Sequence, residues 1–168
     1  MSKVKSPETM EPVSVSSAKQ LLQEVGVQID GIMFFKVSAE IDADFAGVAP
    51  EDLSPEPSYL MRVRHKDARI SVRLQTEVKT VIGRVEVDAA INYLANQPVV
   101  PTREALTDFS NNVGVMALLP YIREAVSSMS QRVFGQTLLM PVIQLGQLTF
   151  AVPDLTEPQI EPESTGND

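Results

Sequence analysis

Apolar and polar residues alternate with a period of two along several runs between Ile29 and Leu94, the spacing of half-buried β-strands. In the first run, Ile29, Gly31, Met33, Phe35, Val37, Ala39 and Ile41 occupy odd positions, with Asp30, Lys36, Ser38 and Glu40 between them. Ile32 and Phe34 break the alternation, so part of the second face of this strand is also expected to be covered. Tyr59–Lys66 sets Met61, Val63 and His65 against Arg62, Arg64 and Lys66. The cleanest alternation is Ile70, Val72, Leu74, Thr76 and Val78 against Ser71, Arg73, Gln75, Glu77 and Lys79. After a turn at Gly83, residues Val85, Val87, Ala89, Ile91 and Tyr93 mark a fourth strand. Residues 42–58 hold five acids with Pro50, Pro55 and Pro57 and form a surface excursion. Antiparallel hairpins or a meander follow, because parallel pairing requires long crossovers.

The period changes after Pro98 and Pro101. Thr102 predicts the cap of a short helix through about Phe109, and Ser110, Asn111 or Asn112 that of a second. The second helix carries its apolar stripe on Val115, Leu118, Leu119, Ile122, Ala125, Val126, Met129 and Val133. Pro120 removes an amide donor inside it and predicts a bend unless the helix starts later. Gly135 predicts its end. The expected fold is α+β: a four-stranded antiparallel sheet with a short crossover helix and a long helix on one face. One such helix does not hide both its own stripe and every apolar sheet position, so burial against further chains is expected.

Three segments are expected: a weakly held 1–17, a folded domain 18–152, and an acidic tail 153–168. The tail holds Asp154, Glu157, Glu161, Glu163 and Asp168 and no lysine or arginine. A chain of 168 residues with 43% hydrophobic and 21% charged residues suits one soluble domain with an adequate core. Cysteine is absent, which removes disulfides and thiolate metal sites. The first twenty residues lack the apolar core of a signal peptide, and no run of eighteen apolar residues predicts a membrane span. A net charge of −8 repels nucleic acid at long range.

Catalytic chemistry finds little support. His65 is the only histidine, and a packed strand residue with a local hydrogen bond accounts for it. Glu86 and Asp88 share a strand face and are expected to pair with nearby arginines. Asp42 and Asp44 form another spaced pair with nothing to divide acid from base roles. Gly26, Gly31, Gly47 and Gly83 match no phosphate-cradling loop. No enzyme, cofactor or metal is expected. Seven of the fourteen basic residues lie between Arg62 and Arg84, but no exposed aromatic platform accompanies them, and nucleic-acid binding is not expected. Phe34, Tyr59, Tyr93, Tyr121, Met129, Phe134 and Met140 are instead candidates for apolar recognition or for the core.

The C-terminal half carries Leu118-Leu119-Pro120-Tyr121-Ile122-Arg123-Glu124, then Val126-Ser127-Ser128-Met129 and Arg132, leading into Met140-Pro141-Val142 and Leu148-Thr149-Phe150. With the preceding strands and the Pro98–Pro101 crossover, this stretch resembles the SecB family of protein-export chaperones over about residues 25–150. The resemblance implies a cytoplasmic homotetramer, a dimer of dimers, that binds non-native precursor polypeptides without nucleotide hydrolysis and passes them to the ATPase SecA. It implies a client groove lined by Tyr93, Leu94, Val99, Phe134, Leu139 and Met140. It also implies a subunit interface at Tyr121, Ile122, Ala125 and Met129, and SecA docking through Glu40 and Glu86. Lys36 and Arg84 depart from the docking pattern: Lys36 stands where an aspartate fits, and Arg84 replaces an apolar neighbour of Glu86. Proteins resembling SecB also serve aggregation-prone antitoxins of toxin–antitoxin systems, which is the alternative function. A structural adaptor for one folded partner is a further alternative.

Overall fold

A computed structural model describes residues 10–152. The central sheet is built from β2 (Gln28–Ile41), β3 (Glu56–Lys66), β4 (Arg69–Lys79) and β5 (Gly83–Leu94), in the order β2-β5-β4-β3 and antiparallel throughout. Hairpins join β3 to β4 and β4 to β5. The meander expected from the alternation therefore holds for those three strands only. Residues 42–55 cross the end of the sheet so that β2 lies beside β5, which makes a Greek key. The crossing is anchored where Val81 N–H donates to the Leu53 carbonyl at 3.2 Å and Asp42 N–H to the Ile82 carbonyl at 2.8 Å.

The alternation of β4 and β5 sorts the sheet into two faces. Ile70, Val72, Leu74, Thr76 and Val78 are buried, as are Val85, Val87, Ala89, Ile91 and Tyr93. All lie under the helices, and they dominate the apolar core with Leu106, Phe109, Leu118, Ile122 and Val126.

Two elements precede this unit. β1 (Val13–Val15) pairs in parallel with β6 (Val99–Pro101), and α1 (Ala18–Gln23) follows it. The expectation of a weakly held 1–17 is thus corrected at its end: Val15 is buried, and its carbonyl accepts from Thr102 N–H at 2.8 Å. The Ser17 hydroxyl accepts from Gln20 N–H at 3.3 Å while the Gln20 amide oxygen accepts from Ser16 N–H at 2.8 Å, a near relative of the capping box. Residues 1–9 of that segment, and the acidic tail 153–168, lie outside the described residues.

Thr102 caps α2 (Arg103–Phe109) as the spacing predicts, accepting from Ala105 N–H at 3.2 Å. The second expected cap does not form. Ser110, Asn111 and Asn112 lie in a π-helical stretch, Ser110–Val115, that carries the chain without a break from α2 into α3 (Met116–Phe134). Pro120 sits inside α3, which runs on to Gly135, left-handed at φ 72°. The π-helical stretch lies close to the sheet: a Cβ on Gly114 would meet Val72 Cγ2 at 2.6 Å. Gly114→Ala is expected to lower unfolding stability by about 1–3 kcal/mol through overpacking, measured by denaturant titration.

Candidate polypeptide-binding surfaces

β2 occupies one free edge of the sheet. Its register with β5 slips between Ile29 and Gly31 and again between Phe34 and Lys36, leaving Asp30 and Phe35 as bulged residues. Each bulge moves the alternation by one place. Ile29, Ile32, Phe34, Val37 and Ala39 consequently stand opposite Tyr93, Ile91, Ala89, Val87 and Val85, on the helix side. Met33 stands opposite Ala90 on the outer side, and Phe35 lies with its ring centroid 4.0 Å from the Arg73 guanidinium carbon. The doubled apolar set in the sequence is the trace of these bulges. Ile29, Met33, Phe34, Phe35, Val37 and Ile41 keep between 39% and 58% of their surface exposed, so an edge strand is apolar on both faces. Such an edge offers both backbone groups and greasy side chains to another chain.

The outer face is otherwise a lattice of charge. Arg73 grips Asp88 through two bonds, Nε to Oδ1 at 2.7 Å and Nη2 to Oδ2 at 2.6 Å, and Gln75 donates to the same carboxylate at 3.2 Å. The Arg73 guanidinium holds the Asp88 carboxyl below the usual carboxylate range, against the opposing effect of burial. Next to it, Lys36 pairs with Glu86, and Arg84 pairs with Glu40 at 2.5 Å and stands 3.9 Å from Glu86. The hydrogen bond from Lys36 lowers the Glu86 pKa. Lys36, Glu86, Arg84 and Glu40 form a ladder of alternating sign with no net charge.

The chain beyond α3 forms a strap that returns along the helices. At its start Gln136 donates to the Pro50 carbonyl at 2.7 Å and Leu138 N–H to Ser130 Oγ at 2.8 Å. At its end the Asn111 amide acts as a strand-like clamp. It donates to the Phe150 carbonyl and accepts from the Phe150 N–H, at 2.9 and 2.8 Å, and it also donates to the Thr107 carbonyl. Arg103 Nε donates to the Val152 carbonyl at 3.0 Å. Leu138, Met140 and Val152 are buried, whereas Leu139, Val142 and Leu145 are 79%, 72% and 66% exposed. Asn111→Ala removes the clamp and leaves the Phe150 backbone unpaired. Amide exchange at Phe150 and Val152 is expected to accelerate about tenfold or more while exchange in β4 stays unchanged.

The sequence-expected site residues do not gather into one exposed patch. Tyr93, Val99, Phe134 and Met140 are buried, while Leu94 is partly exposed and Leu139 is open. Tyr93 packs edge-to-face on Phe109 with centroids 4.9 Å apart, and burial pushes its hydroxyl up to about 12. Gly114 against Val72 sets the start of α3 near the Tyr93 end of β5, and Gln136 on Pro50 sets its finish near the β4–β5 turn. Tyr93, Leu94 and Val99 are therefore separated from Phe134, Leu139 and Met140 by the length of α3, about 28 Å for Met116–Phe134. Of the interface candidates, Ile122 and Ala125 are buried against the core, Met129 is half-buried and Tyr121 is 50% exposed. Glu40 and Glu86 stand on the outer face, each held by a cation. The exposed strap residues Val142 and Leu145 and the β2 edge were not among the sequence-derived groove residues. Their signals were the broken alternation and the apolar run around Pro141.

His65 makes the expected local contact, with Nε2 3.1 Å from the Asp67 carbonyl. Among the described residues no group of three or more His, Asp or Glu is arranged to hold a metal ion, and no helix is long and apolar enough to cross a membrane.

No protein-family model and no curated protein matches the sequence. Among solved structures, the chain is similar to the SecB-like chaperone Rv1957 of Mycobacterium tuberculosis, solved in complex with a ChAD peptide from the HigA1 antitoxin Rv1956. The likeness has a TM-score of 0.60 at 20% identity and covers 76% of this chain and 96% of that one. Greek-key sheet, crossover, long helix and this likeness agree: the chain has the SecB-like chaperone fold.

Proposed function

We propose that this protein is an ATP-independent holding chaperone of the SecB type, dedicated to an aggregation-prone antitoxin. The observation that carries the proposal is the exposed apolar material, the β2 edge and the outward strap residues, on a fold whose solved counterpart was captured with an antitoxin peptide. Backbone pairing and several modest apolar contacts hold an extended chain without any chemical step. Folded proteins have already hidden the segments such contacts need. Assembly into a homotetramer would multiply the sites and raise their effective concentration. A cytoplasmic location accords with this role.

Export, with delivery of precursors to SecA, is the second reading, and it rests on Glu40 and Glu86 standing on the outer face. Their ladder with Lys36 and Arg84 counts against it, because a docking partner would have to displace two cations from two acids. Capture of bound polypeptides under mild lysis, identified by mass spectrometry, decides between the two. One predominant antitoxin is the expected result; a spectrum of secretory precursors would replace this reading with export. A single folded partner, with no binding of unfolded chains, would make the protein an adaptor.

A further inference from the structure

The outer face has a second feature that the proposed chaperone role does not use. β3 forms the edge of the sheet opposite β2, and Arg62, Arg64 and Lys66 project from it as an exposed row. Across the ladder, Arg62 stands opposite Arg73 and Lys66 opposite Arg69. Like charges directly opposite one another destabilise a strand pair. Arg73 is already matched by Asp88, and Arg69 by Asp30 at 2.6 Å. Arg62, Arg64 and Lys66 form no ion pair with any described residue. Among the described residues the row is thus a strip of positive charge without an ion-pair partner, Arg62 feeling only the Asp88 carboxylate that Arg73 already grips, on a protein of net charge −8.

The counter-charge is present in the same chain. Residues 153–168 carry Asp154, Glu157, Glu161, Glu163 and Asp168 without a lysine or arginine. They begin next to Val152, which Arg103 holds at the start of α2. α2 follows β6 directly, and Val99 of β6 donates to the carbonyl of Asp67 at the β3–β4 turn, at 3.1 Å. Val152, the last described residue, therefore sits toward the end of the sheet where Lys66 and Arg69 lie. At about 3.3 Å per residue the segment spans at most about 50 Å, several times the roughly 13 Å over which the row extends along β3.

We propose that the acidic segment 153–168 docks on the row Arg62, Arg64 and Lys66 of its own chain, covering this edge of the sheet and neutralising it. The contact is electrostatic and open to solvent, so it yields to salt and to any more acidic competitor. It stands independently of the chaperone reading.

Zero-length carbodiimide coupling on the full-length protein tests it, since Lys66 is the only amine in the row. The expected product joins Lys66 Nζ to a carboxylate of the tail, in excess over joins to Lys19, Lys36 or Lys79. Substituting R62Q and R64Q, which keeps the amine, is expected to reduce that product about fivefold, the loss of two exposed ion pairs. In about 0.5 M salt it is expected to vanish. Tail joins spread evenly over the lysines, or none at all, would overturn the proposal. So would mixed products from a blend of isotopically heavy and light protein, which would place the tail on a neighbouring copy. Coupling of Lys66 to a separate acidic polypeptide in place of the tail would overturn it as well.

Discussion

Asp88→Ala is expected to lower unfolding stability by about 2–3 kcal/mol. The carboxylate is nearly buried between β4 and β5 and accepts two bonds from Arg73 and one from Gln75, and the Arg73 guanidinium in turn stacks on the Phe35 ring. Removing it leaves Arg73 without its anion in a site where the side chain retains only 29% of its exposure. That residual access to water keeps the expected loss below the figure for a fully buried pair. Asp88→Asn retains shape and part of the hydrogen bonding, and its loss is expected to be smaller. The pair also sets an acid dependence. Arg73 depresses the folded-state pKa of Asp88, so the stabilisation is complete above the unfolded value of about 3.9 and disappears as pH falls through the lower folded value. Denaturant titrations below about pH 4 are therefore expected to show the wild type losing stability faster than Asp88→Ala, with the two curves converging. Parallel curves would remove the pair from the account of acid stability.

Replacing Leu139, Val142 and Leu145 together by aspartate is expected to weaken binding of an unfolded polypeptide about hundredfold. Each side chain is largely open to solvent, so a bound apolar segment gains roughly 1 kcal/mol of burial at each, and three such losses compound. The inward residues Leu138, Met140 and Val152 are untouched, and the thermal midpoint is expected to move little. Fluorescence anisotropy of a labelled, permanently unfolded client measures the first effect and calorimetry the second. Unchanged affinity with unchanged stability would show that the outward strap residues take no part in binding. Loss of both together would instead make them structural.

Much of this architecture is legible in the residues. The alternation of Ile70–Val78 and Val85–Tyr93 marks the two central strands, because each keeps one face under the helices and sets mostly polar and charged residues on the other. Thr102 and Gly135 mark helix ends for local reasons of hydrogen bonding and backbone conformation. Other features depend on contacts distant in sequence. Residues 42–55 show their composition but not that they cross the sheet, since the position of β2 depends on its pairing with β5. Asn111 has the chemistry of a helix cap, yet its amide clamps Phe150 and the chain stays helical through it. Val13–Val15 is too short to show a period, and its strand exists only because β6 lies alongside.

The candidate site was less legible. The motif around Pro120–Glu124 points to the fold, and the structure agrees with that. The residues carried over with the motif are mostly apolar, and apolar character does not distinguish a core position such as Tyr93 or Met140 from a surface position such as Leu139. The charged positions were more informative. Lys36 and Arg84 stand out in the sequence as departures, and in the fold they are the two cations that neutralise Glu40 and Glu86.

The most direct measurement is light scattering from a chemically denatured client diluted into buffer with the purified protein at several-fold molar excess and no nucleotide. If exposed apolar edge and strap surfaces hold non-native chains, aggregation is strongly suppressed under these nucleotide-free conditions. Aggregation that proceeds at the same rate with and without the protein would contradict the account.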